Sequence, residues 1–482
     1  MKSTENGWDE IELYHDLQQA GLIPVHGDFF PAVHYPPITR YAPLTEEEAY
    51  AGFQLPENNT FDIYVHIPFC LKRCIFCHYP SKYNAPDEEK DRYLEALKGE
   101  MNLFLQRIGA NRIRTRAILI GGGTPTDLTP KQLEYFLQYF TERAPVRDQV
   151  QFNYDVDPNS LIGPVGLERL KLLKDYGVNR LTIGVQSLND PILKGMNRAH
   201  TAAEAIESVN NSLEAGFKVN IEFIFGFPGQ TMDIWNEDIR LASTLNTDEI
   251  QLYRLKYEPY GDQVGIIKNY REKKQDNLVS VEETLRMKRS AIRILAEQGY
   301  LENLRRVYTR SKDNISRYAY NQCCRLLDQV GFGQTAFASY HDRFLLNPFS
   351  FEEYYGAIDS GRLPLNRGIV RSLSEQMRWS IILPLKNYYL PKKLFYRRTG
   401  HYLEDTPFIS IIHRLIDMGL VEESDMNYTL TEQGAFFADE VTEAFYSHDY
   451  IPFPESDYLP GPLNPYNNDP GDVIYDQAAR SN

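Results

Sequence analysis

Cysteine is scarce: the chain has five in 482 residues. Three of them, Cys70, Cys74 and Cys77, fall within eight positions, and the other two, Cys323 and Cys324, are adjacent. An odd total so distributed excludes a secreted disulfide framework. Basic residues are in deficit as well. A net charge of −15 repels phosphate backbones, which argues against general nucleic-acid binding. No apolar run is long enough to span a bilayer, and the opening residues MKSTENGWDE hold no apolar signal core. The expectation is a cytoplasmic protein with no nucleic-acid partner and no membrane span.

Hydrophobic residues make up 42% of the chain, enough for a real core, and the length calls for one large domain and a smaller one. Tyrosine and phenylalanine are abundant. Most read as packing residues, and a few as candidate walls around a flat substrate.

A strand-then-helix rhythm begins at Phe61. In FDIYVHI, Ile63, Val65 and Ile67 share one face. A helix over Glu88–Ile108 follows, with Leu94, Leu97, Met101, Phe104, Leu105 and Ile108 on one stripe. The unit repeats at RAILI (116–120), QFNYDVD (151–157), RLTIGVQ (180–186) and KVNIEFIF (218–225), and EIQLYRL (249–255) makes a sixth strand. Regular alternation predicts a parallel sheet with right-handed crossovers. The fold class is therefore α/β, an incomplete (β/α)6 barrel whose chemistry sits after the strand C-termini. The expected domains are an irregular N-terminal arm with one short helix (1–55), the barrel (56–300), a linking region (301–375), a small, mainly helical, winged-helix-like domain (376–450) and an extended, proline-rich tail (451–482). Winged helices often bind DNA, but Arg414 is the only arginine or lysine among residues 401–450, so a lid or docking role fits better.

The thiols form a C-x3-C-x2-C run just after the first strand. A zinc site normally takes four ligands, often as two separated pairs, and no second pair exists. A redox pair would leave Cys70 without a use. An iron–sulfur cluster uses all three thiolates and leaves one iron open for a small molecule. Three unrelated buried thiols remain the plain alternative. GGGTP (121–125) follows the second strand. Its glycines let backbone approach a ligand closely, and it lacks the Lys-Ser/Thr ending of a phosphate loop.

Together with YVHIPFC (64–70), DVDP (155–158), NRLTIGVQS (179–187), MNRAH (196–200), IEFIFGFPGQT (221–231) and GFGQTAFASYHDRFLLN (331–347), these motifs resemble the radical S-adenosylmethionine (SAM) superfamily. They are most similar to its HemN-like (oxygen-independent coproporphyrinogen III oxidase-like) family, over residues 55–445. The resemblance implies that Cys70, Cys74 and Cys77 hold a [4Fe–4S] cluster and that SAM chelates the fourth iron. Reductive cleavage of SAM then yields a 5′-deoxyadenosyl radical, with electrons from a donor such as flavodoxin or ferredoxin. By matched motif, Gly122, Gly123 and Thr124 lie against the methionine end of SAM, and Gln186 and Arg198 contact its polar groups. Asp155 and Glu222 stand where the family usually has glutamate and aspartate. Both keep the charge and can accept hydrogen bonds from an ammonium or ribose hydroxyls. Tyr64 matches a tyrosine near the cluster and, with Asp155, is the catalytic candidate.

The oxidases proper continue C-x3-C-x2-C-x-C, whereas here the run ends Cys77-His78-Tyr79. That departure favours methyl or methylene transfer to an unsaturated carbon with two SAM molecules; by resemblance, Asp155 and the segment near Gly331–Ala336 help to house the second, although a tight turn is the plainer reading of Gly331 and Gly333. The alternatives are oxidative decarboxylation of a tetrapyrrole and a haem-binding chaperone. The substrate is expected to be small and unsaturated, aromatic or tetrapyrrolic. Arg305, Arg306, Arg310, Lys312, Arg317 and Arg325 form a basic stretch suited to carboxylates, although a solvated face is the plainer reading. His26 and His34 could reach the cavity from the arm, against a plainer surface role.

Overall fold

The computed structural model describes residues 7–26, 34–147, 149–258, 264–269 and 277–471. Six strands stand where the period-two runs place them: β1 Thr60–Ile67, β2 Arg114–Gly122, β3 Gln151–Val156, β4 Arg180–Gln186, β5 Lys218–Phe225 and β6 Glu249–Arg254. They pair in parallel and in chain order. Phe61, Ile63, Val65 and Ile67 enter the main core under the helices. Alternation therefore sends Asp62, Tyr64 and His66 to the barrel interior.

The helices begin where side chains can satisfy their first N–H groups. Thr129 caps Pro130–Arg143 in a capping box with Gln132, and Thr201 caps Ala202–Glu214 in one with Glu204. In Asp87–Arg107, Leu94, Leu97, Met101, Phe104 and Leu105 are buried, each contributing about 1.5–3 kcal/mol.

The linking region departs from expectation, because it continues the barrel sheet. β7 (Leu301–Leu304) and β8 (Val307–Thr309) add antiparallel beyond β6. β9 (Gln329–Phe332) adds parallel to β1 on the other side, followed by antiparallel β10 (Phe337–Tyr340), β11 (Arg343–Leu346) and β12 (Arg367–Val370). With the short strand Ala42–Pro43 at its edge, the sheet has 13 strands among the described residues, and its two edges do not pair. The helix Arg317–Cys323 is tied to the β1–β9 junction. Asn321 and Gln322 donate to Asp62 at 3.1 and 2.9 Å, and Tyr318 donates to Gln329 at 2.6 Å.

The barrel floor is charged. Arg180 on β4 meets Glu249 on β6 at 2.6 Å, both essentially fully buried. Asp62 meets Arg116 at 3.3 Å.

The C-terminal unit has the winged-helix outline. Helices Leu373–Lys386, Lys392–Thr399 and Ile409–Asp417 pack with a three-stranded sheet of Tyr389–Pro391, Asn427–Leu430 and Val421–Glu423. Its core takes in Leu17, Leu22, Ile23 and Tyr35 of the N-terminal segment, so that segment docks and is not merely an irregular arm. Its helix runs Glu10–Gln19, capped by Asp9. The tail is likewise not extended through residue 471. Tyr458 and Leu463 are buried in this second core, and the Leu463 N–H donates to Ala20 O at 2.9 Å. Apolar burial outweighs the proline content there. Residues 1–6 and 27–33 of the expected arm and 472–482 of the expected tail lie outside the described residues. Among the described residues no helix is long and apolar enough to cross a membrane.

Candidate functional site

The thiol run leaves the top of β1, and neighbouring segments hold it by backbone bonds. Thr124 N–H donates to Phe69 O at 2.7 Å and Gly123 N–H to Ile67 O at 2.9 Å, which stitches GGGTP to the loop. Ile75 N–H donates to Met196 O at 3.2 Å, and Asn197 Nδ2 to Arg73 O at 2.7 Å. The MNRAH segment is therefore the loop's second support. A Cβ on Gly123 would lie 2.7 Å from Phe69 O and 3.0 Å from Cys70 Sγ, and Gly122 has φ +115°. Only glycine permits this approach.

All three thiols are half-buried. Thr124 Oγ1 lies 3.5 Å from Cys70 Sγ, and Arg198 Nη1 donates to Cys74 Sγ at 3.1 Å. Burial pushes Cys70 up to about 12 and Cys77 up to about 11, with the other cysteines adding to each. Thiols so placed ionise only when strong positive charge compensates them, as iron does. Among the described residues no three His, Cys, Asp or Glu side chains converge as they would on a single ion. A cluster spreads its ligands over separate irons, so this donor set fits a cluster.

Arg198 is a fixed element. Its Nη2 donates to Asp157 Oδ2 and to Gly184 O, each at 2.7 Å. Burial opposes its charge, but Cys74 and Asp157 hold its pKa above the usual value. Gln186 is buried at φ +69°, and its Oε1 has no hydrogen-bond partner. An orphaned acceptor beside Gly184 and Arg198 is what a ligand donor would satisfy.

Deeper in the barrel stand two carboxylates. Burial raises Asp155 to about 7. Burial, then the neighbouring Asp155, raises Glu222 to about 8. Asn153 Nδ2 donates to Asp155 at 3.0 Å, and Tyr253 OH donates to Glu222 at 3.3 Å. A Cβ on Gly121 would come within 2.5 Å of Asp155 Oδ2. Tyr64 OH bonds His66 Nδ1 at 2.9 Å. Tyr64, Asp155, Glu222 and Tyr253 keep accessible surface on strands otherwise mostly buried, so they line an interior cavity.

The expected residues thus come together: the thiols, the Gly122–Thr124 cradle and Arg198 above, with Asp155, Glu222 and Tyr64 below. Three others were missed. Asp157 orients Arg198, and His200 Nε2 bonds Val185 O at 3.1 Å with its Nδ1 3.7 Å from Asp157. His66 partners Tyr64. His66 lies two residues beyond Tyr64 on the same face of β1, a period-two signal available in the sequence, and Asp157 stands just past the end of β3, where it caps the turn Pro158–Leu161. His78 does not face the thiols. Its Nδ1 accepts from Gly265 N–H at 2.8 Å, and its Nε2 bonds Lys256 O at 3.2 Å.

Two further segments are packed as follows. The glycines of 331–336 serve packing: a Cβ on Gly331 would strike Phe337 O at 2.3 Å, and Gly333, at φ +102°, would strike His66 O at 2.5 Å. The basic stretch divides. Arg305 and Arg306 both bind Asp439 of the C-terminal unit. Arg310, by contrast, bonds Gln298 O at 3.1 Å, and Arg317 bonds Gln149 O at 2.8 Å. Only the first two lie near Lys256 and Lys386.

Residues 64–242 match the model of the radical SAM superfamily. The chain belongs to that superfamily. Within it the chain is HemN-like. It is 29% identical over 389 residues to the haem chaperone HemW of Bacillus subtilis, covering 79% of this chain and 98% of HemW. It is 26% identical over 370 residues to an oxygen-independent coproporphyrinogen III oxidase of Synechocystis, covering 73% of this chain and 76% of the oxidase. The solved coproporphyrinogen III oxidase (HemN) of Escherichia coli superposes with a TM-score of 0.75 at 23% identity, covering 88% of this chain and 99% of that one. The cofactors are those of the family, a [4Fe–4S] cluster and SAM, and the donor set described above fits both.

Proposed function

We propose that this protein binds a carboxylate-bearing tetrapyrrole in the cavity beside its SAM site and handles haem rather than methylating a substrate. The observation that carries this reading is the cavity wall. Tyr64 and Tyr253 supply flat surface, Arg305 and Arg306 supply positive charge around one carboxylate, Asp439, and beside them lie Lys256 and Lys386, whose charge burial and the two arginines hold down until a carboxylate compensates it. Flat macrocycles stack on aromatic faces, and propionates pair with buried cations. The relatives described above carry oxidase and haem-chaperone names and no methyltransferase name, so the methyl-transfer expectation gives way. The chaperone relative is matched over nearly its whole length, and the thiol run lacks the added cysteine of the oxidases.

A second reading is oxidative decarboxylation of porphyrinogen propionates, favoured by the complete set of SAM-facing groups. When bound, the cluster and SAM supply one-electron cleavage of SAM and hydrogen-atom abstraction. Cys70, Cys74 and Cys77 would hold the cluster. Gly122, Gly123, Thr124, Gln186 and Arg198 would seat SAM, with Asp155 and Glu222 accepting its hydrogen bonds. Tyr64 would stand between SAM and the macrocycle.

The test is anaerobic. The cluster-loaded protein is titrated with haem, and separately incubated with SAM, a strong reductant and coproporphyrinogen III. Stoichiometric haem binding without substrate-dependent 5′-deoxyadenosine supports the haem reading. Deoxyadenosine formed in step with loss of carboxylate supports the oxidase reading. S-adenosylhomocysteine accumulating with a carbon acceptor, and no tetrapyrrole binding, sinks both.

A further inference from the structure

His34 lies in the N-terminal segment, far in sequence from the thiol run, yet it stands one aromatic ring away from the barrel interior. Its ring meets Phe337 edge-on, with centroids 4.3 Å apart, and Phe337 leans on Tyr64 at 6.5 Å. One aromatic ring therefore separates His34 from the barrel interior. The imidazole is half-buried, and neither nitrogen hydrogen-bonds to a described residue. The other histidines on this side are engaged: His66 by Tyr64, His78 by Gly265 and the Lys256 carbonyl, and His200 by the Val185 carbonyl. Neither nitrogen of His34 is among the fully enclosed, unpartnered atoms, so an incoming ligand can reach the ring without displacing a hydrogen bond.

Burial, then the charges of Lys386 and Lys256, hold His34 down to about 4. The ring is therefore neutral at physiological pH and offers a lone pair. A neutral imidazole is the commonest protein ligand for metals and a standard axial ligand of haem iron. Arg305 and Arg306, converging on Asp439, put positive charge beside the same two lysines, whose own charge burial holds down and an arriving carboxylate would restore. Phe337 and Tyr64 give that macrocycle an aromatic wall.

We infer that His34 is the axial ligand of haem iron, in a cavity where Lys256 and Lys386 receive the haem carboxylates. The inference rests on the tetrapyrrole reading and selects the iron-bearing macrocycle within it. Coordination replaces a solvent ligand on iron and needs no electron transfer. Cys323 is the rival ligand, since it too is half-buried and close to Lys386 and Arg305.

The experiment uses the full-length, cluster-loaded protein under argon. Haem and metal-free coproporphyrin III are titrated into the native protein, H34A and C323S, with melting temperatures recorded for each. An axial ligand affects only the metallated ring. H34A is therefore expected to bind haem at least about tenfold more weakly and to shift the Soret band, while binding coproporphyrin III as the native protein does. Added imidazole should restore the native spectrum in H34A. Equal weakening for both macrocycles would make His34 a packing residue and overturn the inference. Native haem binding in H34A, or its loss in C323S alone, would overturn it too and leave the tetrapyrrole reading standing. If the native protein binds neither macrocycle, that reading fails and takes the inference with it.

Discussion

The lower and upper halves of the barrel interior are built from the same strands and carry opposite electrostatics. Below, charge is paired: Arg180 with Glu249 at 2.6 Å and Arg116 with Asp62 at 3.3 Å. Above, Asp155 and Glu222 face each other, no ion pair with either is found among the described residues, and burial raises both pKa values. Two residues further along each strand, the chain passes from a structural plug to a site that a ligand must complete. Paired burial fixes register. Unpaired burial stores a demand for a partner.

The comparison can be broken at its extremes. The largest effect is expected at the thiols: Cys70→Ala should abolish SAM cleavage and the iron–sulfur absorbance, measured by deoxyadenosine yield and iron content. Full activity in that variant would remove the cluster assignment. Next comes the floor. Arg180→Met leaves Glu249 buried and unpaired, and should cost about 3–5 kcal/mol in denaturant unfolding. Asp155→Asn, in the upper half, should cost no stability while slowing SAM cleavage. Similar stability losses in both would erase the distinction between the halves.

Gly123→Ala sharpens the boundary between cradle and thiol loop. Its Cβ would lie 2.7 Å from Phe69 O, so an overpacking cost of about 1–3 kcal/mol and reduced iron loading are expected.

The pH dependence is comparable in size. An acid whose pKa rises on folding holds its proton more tightly when folded. Its stabilisation is full near pH 4 and is lost as pH rises through about 7 for Asp155 and about 8 for Glu222. SAM-free protein should therefore lose stability between pH 5 and 8, by about 1–3 kcal/mol, and Asp155→Asn should flatten that slope. The smallest effect is expected far from the cavity. Thr45→Ala removes the capping box with Glu48 next to the sheet-edge strand at about 1 kcal/mol and should leave SAM cleavage unchanged.

The six barrel strands, the helices between them and the thiol and glycine motifs were legible in the sequence, because each follows from local periodicity or spacing. FDIYVHI reads as a strand whatever surrounds it, and C-x3-C-x2-C defines its chemistry within eight residues. Asp157, His66 and His200 lay inside the motifs DVDP, YVHIPFC and MNRAH, but their roles depend on Arg198, Tyr64 and the Val185 carbonyl. Position along the chain did not reveal those partners.

Only the tertiary structure decided the rest. β9 joins the barrel sheet beside β1, although more than 250 residues separate them along the chain. The N-terminal helix and the Tyr458–Leu463 strap share one core with the winged-helix unit. His34 meets Phe337, and Arg305 and Arg306 leave their basic neighbours for Asp439. These are non-local contacts, chosen by which apolar faces remain to be covered and which buried charges remain to be paired once the local elements have formed. The sequence by itself determined the elements and the cofactor chemistry, and the packing of distant segments decided what encloses the cavity above them.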